Sequence, residues 1–201
     1  MKPDRYMKRT FLLTLAIALL YLPACIQAKV EPIPVDDLRP TQQHQKTILI
    51  SRKVIEQYHY KQHSLDDTLS AEILRQYLKI LDPNKSFFTA ADIDRFEKNY
   101  ARMLDDDIRH ARLENAFSIF KLYRQRVEER VSTALSLISG AIDIHSGETY
   151  LVDREDAEWS PTRASLDELW RKRIINDYIV LKLADKDEKE IREQLAKRYE
   201  S

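Results

Sequence analysis

The scarcity of glycine constrains the fold of this chain more than any other feature, because only 2 of its 201 residues are glycine. Glycine supplies the positive φ angles of tight hairpins and the close backbone approach of phosphate-binding loops, and proteins contain roughly 7% of it on average. Strand-rich folds and P-loop or Rossmann sites are therefore nearly excluded. The length suffices for a hydrophobic core. We predict an all-α, multi-helix bundle of about six helices in one domain.

The charge balance excludes another class of function. The chain has 33 basic and 33 acidic residues, so it lacks the basic excess that binds nucleic acid. We therefore predict no nucleic-acid partner.

Residues 1–28 have the pattern of an export signal. Basic residues precede an uncharged, mostly apolar run from Phe11 to Leu22, which is shorter than the roughly 20 residues of a membrane span. Two processing routes stay open: release after Ala28, which the small-residue cleavage rule favours, and lipidation of Cys25, which follows a lipobox-like Leu22-Pro23-Ala24. Both routes predict a periplasmic protein, with a membrane contact only if Cys25 is lipidated. Cys25 is the only cysteine, so the mature domain forms no internal disulfide.

The rest of the chain divides into an extended arm and a helical domain. Three prolines predict an extended arm over residues 29–40, and the domain covers residues 41–201. Apolar residues at intervals of three and four predict helices over 41–60, 65–81, 90–108, 113–139, 166–183 and 185–201. A mostly irregular connection with a short strand at 149–152 is predicted for 141–163. The last helix has no Gly or Pro stop signal, which is typical of a truncated chain.

Helix starts and buried faces are also predicted from short patterns. Thr41 is a predicted cap, Gly140 a predicted C-cap, and four further starts carry capping pairs: Ser64 with Asp67, Thr89 with Asp92, Ser165 with Glu168, and Asp185 with Glu188. The helix over 41–60 is expected to bury one stripe: Ile48, Leu49, Val54, Ile55 and Tyr58. The helix from Leu113 to Ser139 is expected to pack within the bundle rather than in a partner's groove, and Trp159 and Trp170 are expected to anchor the core.

Patterns that could carry chemistry are weak. His59 and His63 have metal-ligand spacing but no third ligand nearby. Asp105 to Asp107 lack the spacing of a calcium loop, so we expect them to form a solvated charged turn. Arg171 to Arg173 are expected to form a solvated helix face. No Gly-x-Ser-x-Gly motif occurs. We therefore predict no catalytic, cofactor-binding or metal-binding residue and no cofactor.

Several segments, in the same order along the chain, resemble the N-terminal domain of bacterial tail-specific proteases, the periplasmic C-terminal processing peptidases. The segments are Tyr60 to Asp67, Leu78 to Phe88 with its Leu-Asp-Pro-Asn-Lys-Ser-Phe-Phe string, Asp92 to Phe96, Ala116-Phe117, Arg126-Val127 with Arg130, Leu151 to Arg154 with Trp159, Leu169 to Arg173, and Lys197 to Glu200. Arg109-His110-Ala111 departs from the family, whose members tend to carry a glycine at this turn.

The resemblance implies a helical, non-catalytic part of a larger enzyme. Members of that family have a PDZ domain and a protease core with a Ser nucleophile and a Lys base. They select substrate proteins with apolar C-terminal tails, and a lipoprotein adaptor can deliver these substrates. The implied partners are thus protein substrates, reached through domains absent from this chain, and such an adaptor. The implied role is scaffolding of the protease and docking of substrate or adaptor. The alternative that we keep open is a stand-alone envelope binding module without enzymatic activity.

Overall fold

The computed structural model describes residues 33–58 and 66–200, and residues Pro34–Ser201 form one compact unit. The predicted export signal, Cys25, His59, His63 and Ser64 lie outside the described residues. Within them, the chain forms a 3-10 turn at Val35–Asp37 and seven α-helices: α1 Gln42–Tyr58, α2 Asp67–Leu81, α3 Ala90–Tyr100, α4 Leu104–Arg109, α5 Glu114–Ser139, α6 Arg163–Leu183 and α7 Glu188–Glu200. The predicted all-α bundle is confirmed, with one helix more than expected.

The extra helix arises because the predicted helix over 90–108 is interrupted. α3 ends at Tyr100, and α4 begins at Leu104. The break lets Leu104 enter the core, where its backbone N–H donates to the hydroxyl of Ser70 at 2.9 Å. Tertiary packing on α2 therefore overrides the local helical periodicity at this point.

Two of the predicted helix starts are confirmed. The hydroxyl oxygen of Thr41 accepts from the backbone N–H of His44, and Thr89 forms a reciprocal capping box with Asp92. Gly140 follows the last residue of α5, as predicted, and its N–H donates to the carbonyls of Ser136 and Leu137.

Three predicted caps are wrong by two or three residues. α2 is capped by Asp66, whose carboxylate accepts from the N–H groups of Thr68 and Leu69. α6 starts from a Thr162–Ser165 box, so Ser165 is the partner of the cap rather than the cap. Asp187 accepts from the N–H of Glu190 at the start of α7. In each case a neighbouring side chain reaches the free N–H groups of the first turn instead.

The long helix α5 joins two hydrophobic cores. The N-terminal core is formed by α2, α3, α4, the turn before α3 and the start of α5, and it consists of Leu74, Leu78, Phe88, Ile93, Phe96, Leu104 and Ile119. The C-terminal core is formed by the end of α5 with α6 and α7, and it consists of Ala134, Ile138, Leu166, Trp170, Ile174, Tyr178, Leu181, Ile191 and Leu195. At 1.5 Å per residue α5 is roughly 40 Å long, which suffices to serve both cores. The prediction that this helix packs within the bundle is confirmed.

The connections differ from the predictions in two places. The strand predicted at 149–152 is wrong: these residues are irregular, and Leu151 and Val152 are exposed. Within the described residues the only β-type pairing is a single bridge between Thr89 and Ser160. The described part of the arm is not fully extended, since it contains the 3-10 turn and buries Leu38.

Candidate functional site

An apolar groove of about 590 Å³ lies between α1, α2, α4 and α5. Its floor and walls are mostly aliphatic and aromatic side chains, among them Ile73, Tyr77, Ile80, Phe117 and Phe120. The Tyr77 hydroxyl donates to the carbonyl of Ala116 at 3.2 Å, and burial raises the pKa of Tyr77 to about 12. The groove has the size and apolar character of a binding site.

The polar side chains at the edge of the groove are paired with one another. Glu72 accepts from Gln76 at 2.9 Å and from Arg75 at 2.8 Å. Asp107 accepts from Arg112 at 3.1 Å. Because these charges are neutralised locally, an occupant of the groove needs apolar side chains and no charged group.

The groove is indicated in the sequence by a second apolar stripe on α2, which is missed if only one stripe is assigned to the helix. Leu74 and Leu78 of α2 point into the N-terminal core, whereas Ile73, Tyr77 and Ile80 recur at i, i+4 and i+7 and line the groove. α2 thus has two apolar stripes. The first is buried in the core, whereas Ile73 and Tyr77 of the second are half-buried against the core and leave Ile80 exposed in the groove.

A buried carboxylate organises the turn between α2 and α3. Asp82 is 1% exposed and accepts from the backbone N–H groups of Ser86 at 2.8 Å, Phe87 at 2.8 Å and Phe88 at 3.0 Å. Burial raises the pKa of Asp82 above its ordinary value, although these hydrogen bonds act in the opposite direction. The turn then sends Phe88 into the N-terminal core and places Phe87 against the C-terminal core.

A second buried carboxylate, Asp92, ties α3 to α5. Arg126 approaches it side-on, with Nη2 at 2.9 Å from one oxygen and Nε at 3.1 Å from the other. Burial alone would raise the pKa of Asp92, but the hydrogen bonds from Arg126 and Thr89 outweigh it and hold the pKa below its ordinary value. This pair connects the Thr89 cap to the middle of the long helix.

The expectation that Asp105 to Asp107 form a solvated turn is wrong. Asp105 and Asp107 are buried, and Asp106 is half-buried. The three acids occupy the first turn of α4, where the helix dipole favours negative charge. The second oxygen of Asp107 also accepts from the amide of Asn115 at 2.7 Å, so this turn is fixed against the start of α5.

Arg171 to Arg173 are half-buried rather than solvated, so that expectation is also wrong. Arg171 contacts Glu168 at 2.6 Å on its own helix and Glu148 at 2.5 Å in the irregular connection. The guanidinium of Arg173 lies 4.8 Å from the centre of the Trp170 ring. The basic cluster therefore attaches the irregular connection to α6 rather than presenting charge to an anionic ligand.

The expected roles of the two tryptophans are confirmed. Trp170 is buried in the C-terminal core and donates from Nε1 to the Ser86 carbonyl at 2.7 Å. Trp159 is half-buried against the N-terminal core, 6.3 Å from the Phe88 ring.

The predicted buried stripe of α1 is wrong in its main part. Ile48 is half-buried at the groove, but Leu49 and Val54 are exposed, because α1 contacts the bundle along one narrow line beside α4. The side chains of Ile55 and Tyr58 lie outside the described residues.

Chemistry beyond binding has little support in the described part of the chain. There, no three His, Cys, Asp or Glu side chains are grouped as a metal site would require. None of the helices over residues 33–58 and 66–200 is both long and apolar enough to span a membrane. The best-formed polar groups, at Asp82, Asp92 and Asp107, hold turns and helices together.

Comparison with known proteins assigns this bundle to a family. The family model described as "Tail specific protease N-terminal domain" matches residues 51–201. The chain is also 38% identical over 143 residues to "Tail-specific protease" of Haemophilus influenzae, an alignment that covers 71% of this chain and 21% of the relative. The chain therefore belongs to the tail-specific protease N-terminal domain family, and its matched part spans about a fifth of the length of this relative.

Proposed function

We propose that this chain is the helical, non-catalytic N-terminal part of a periplasmic tail-specific serine endopeptidase. Its role is to scaffold the protease and to take part in docking substrates or an adaptor. The match of the N-terminal domain family over residues 51–201 carries this proposal. The full enzyme would process envelope proteins from apolar C-terminal tails, with the chemistry performed by its other domains.

The scaffolding role is assigned to the groove between α1, α2, α4 and α5. About four-fifths of the Haemophilus protease lies outside the aligned part, so the rest of such a polypeptide is long enough to supply an apolar segment that fills it. A groove lined by Ile73, Ile80 and Phe117, with its edge charges already paired, fits an uncharged apolar segment of the same enzyme.

A chimera tests the proposal. The segment of the Haemophilus protease that aligns with this chain is replaced by this chain's residues, and cleavage of a reporter protein with an apolar C-terminal tail is measured. We expect the chimera to cleave the reporter and this chain alone to leave it intact. Cleavage by the chain alone would contradict the non-catalytic role.

Two exposed apolar residues provide a matched pair of variants for the groove. Ile80 lies in the groove and is 75% exposed, whereas Leu183 lies at the end of α6 and is 80% exposed. Neither supports the core, so both variants should fold. Ile80→Asp in the chimera should lower cleavage by about tenfold or more, and Leu183→Asp should leave it unchanged. Equal effects would remove the groove from the proposal.

The alternative, a stand-alone envelope binding module, makes a different prediction about the native protein. An antibody raised against residues 29–201 would then capture from the source cells a species with the mass of the mature chain alone. A far heavier species is expected if the chain is part of a protease.

A further inference from the structure

Helix α1 is attached to the bundle along one line of side chains. Among its described side chains only Ile48 and Arg52 are half-buried, and the others are exposed. Arg52 donates to the carbonyl of Arg109 at 2.5 Å, and the ring of His44 lies 5.4 Å from that of Phe117. Spacings of four residues put His44, Ile48 and Arg52 on the same face. Among the described residues, the side chains on the opposite face of α1 are exposed.

That outer face combines apolar and basic side chains. At 3.6 residues per turn, an arc of about 140° runs from Leu49 through Lys53, Lys46 and Ile50 to Val54. Leu49, Ile50 and Val54 are 43%, 65% and 50% exposed. Over the described residues, neither Lys46 nor Lys53 forms an ion pair. We call these five residues the outer face of α1.

An isolated helix of this length is marginal in water, so an exposed apolar face on a loosely attached helix indicates a missing contact. The charge of the face identifies the kind of surface. Where lysines alternate with aliphatic side chains, the aliphatic side chains can enter a lipid interface while the lysine ammonium groups bind the lipid phosphates. A symmetric contact between two copies would instead place these lysines against each other.

We propose that the outer face of α1 lies on an anionic phospholipid membrane surface. The aliphatic side chains Leu49, Ile50 and Val54 enter the headgroup boundary, and Lys46 and Lys53 bind the lipid phosphates. The narrow contact through Ile48 and Arg52 keeps the groove on the side away from the lipid. This contact is independent of the proposed protease role and of any lipid on Cys25.

Vesicle cosedimentation tests this contact. The protein starts at Lys29, because the apolar run from Phe11 to Leu22 would bind lipid by itself, and residues Pro34–Ser201 form a compact unit. Phosphatidylcholine vesicles are compared with and without phosphatidylglycerol, at low and at high salt. We expect binding to the anionic vesicles only, weakened by salt.

Two double variants have matched controls elsewhere on the surface. The double variant Lys46→Gln, Lys53→Gln should weaken vesicle binding by about 30-fold. Its control, Lys182→Gln with Lys197→Gln, makes the same charge change on α6 and α7 and should leave vesicle binding unchanged. Ile50→Ser with Val54→Ser should weaken binding by about tenfold or more. Leu151→Ser with Val152→Ser, at residues that are similarly exposed, should have no effect. Far-UV circular dichroism checks that all four variants keep their helix content.

Three results would overturn the proposal. The first is no binding of the unaltered protein to anionic vesicles, and the second is an equal loss of binding in a variant and its control. The third is self-association in sedimentation velocity that the Ile50→Ser, Val54→Ser variant abolishes, without vesicle binding, because the outer face would then be an interface between two copies.

Discussion

Replacement of Asp82 should strongly destabilise the domain, because this one side chain holds the turn between α2 and α3. Its carboxylate is the acceptor for three consecutive backbone N–H groups, from Ser86 to Phe88, at 2.8 to 3.0 Å. In Asp82→Ala these three N–H groups lose their acceptor, and two of them belong to the buried residues Ser86 and Phe88. An unsatisfied buried donor costs about 1 to 3 kcal/mol, and neighbouring losses are not additive. We expect the free energy of unfolding to fall by about 3 to 5 kcal/mol.

Asp82→Asn separates the hydrogen bonds from the charge. The amide oxygen of asparagine can accept up to two of the three N–H groups, and the neutral side chain avoids the desolvation that raises the pKa of the carboxyl. The expected loss for Asp82→Asn is therefore only about 1 to 2 kcal/mol. Asn84→Ala, at the exposed tip of the turn, is the control and should change stability by about 0.5 kcal/mol or less.

Urea unfolding measures these differences, with far-UV circular dichroism for the helices and tryptophan fluorescence for the turn. Trp170 is a direct reporter because its indole donates to the Ser86 carbonyl at 2.7 Å. Total stabilities of domains are about 5 to 15 kcal/mol, so Asp82→Ala can be largely unfolded, and Asp82→Asn then carries the test. If both variants match Asn84→Ala, the turn does not depend on these hydrogen bonds. If Asp82→Asn is as destabilising as Asp82→Ala, a neutral amide oxygen does not replace the carboxylate, and the expected difference between the two variants is refuted.

Four further predictions concern the Asp92 pair and two strained turns. Arg126→Met leaves the Asp92 carboxylate buried without its guanidinium and should cost about 3 to 5 kcal/mol in urea unfolding. Because the folded pKa of Asp92 lies below its ordinary value of 3.8, its ionised form stabilises the fold above that pH, and this contribution is lost as the pH falls through the lowered pKa. The free energy of unfolding should thus depend less on pH below about 4 in Asp92→Asn than in the unaltered protein, and equal slopes would contradict the assignment. Asp185, exposed after α6, has a φ of 57°, so Asp185→Gly should raise stability by about 1 kcal/mol and Asp185→Ala, which keeps the Cβ, should not. Ala111→Gly, at a φ of 53°, should stabilise by about 0.5 kcal/mol, and a loss of stability would mean that its buried methyl group outweighs the backbone strain.

The turn at Ala111 shows what a departure from a family pattern can indicate. The resemblance implies a glycine within the string that reads Arg109-His110-Ala111 here, and in this chain Ala111 has a left-handed conformation. The turn between α4 and α5 is stabilised by two hydrogen bonds from Arg112 to Asp107. The backbone N–H of Arg112 donates to the Asp107 carbonyl at 2.8 Å, and the Arg112 guanidinium donates to the Asp107 carboxylate. These bonds of Arg112 and Asp107 hold the conformation that glycine would adopt more easily.

Helix positions were predictable from the sequence because apolar residues repeat at helical spacing over long segments. Helix ends were less predictable, since several Ser, Thr and Asp residues lie near each start and tertiary contacts decide which one caps. The break between α3 and α4 has no sequence signal of the usual kind: residues 90–108 contain neither Gly nor Pro. It depends on the contact between Leu104 and Ser70, which are 34 residues apart.

Buried acidic residues were missed for a related reason. From the sequence, charged residues are expected to be solvated unless their partners are known. The partner of Asp92 is Arg126, which is 34 residues further along the chain. For Asp107 the partners are only five and eight residues away, at Arg112 and Asn115. These contacts follow from the packing of helices and not from local spacing.

Periodicity shows that a helix has an apolar stripe, but it does not show which molecule covers that stripe. The stripe of α1 and the second stripe of α2 both look like core in the sequence, but Leu49 and Val54 of α1 and Ile80 of α2 are exposed. Their charges separate them: the groove beside Ile80 has its edge charges paired, whereas the outer face of α1 carries Lys46 and Lys53 without ion pairs among the described residues. An uncharged apolar segment suits the groove, and an anionic membrane surface suits the outer face of α1. Since Ile80→Asp changes only the groove and Lys46→Gln with Lys53→Gln changes only the outer face, the two contacts can fail independently.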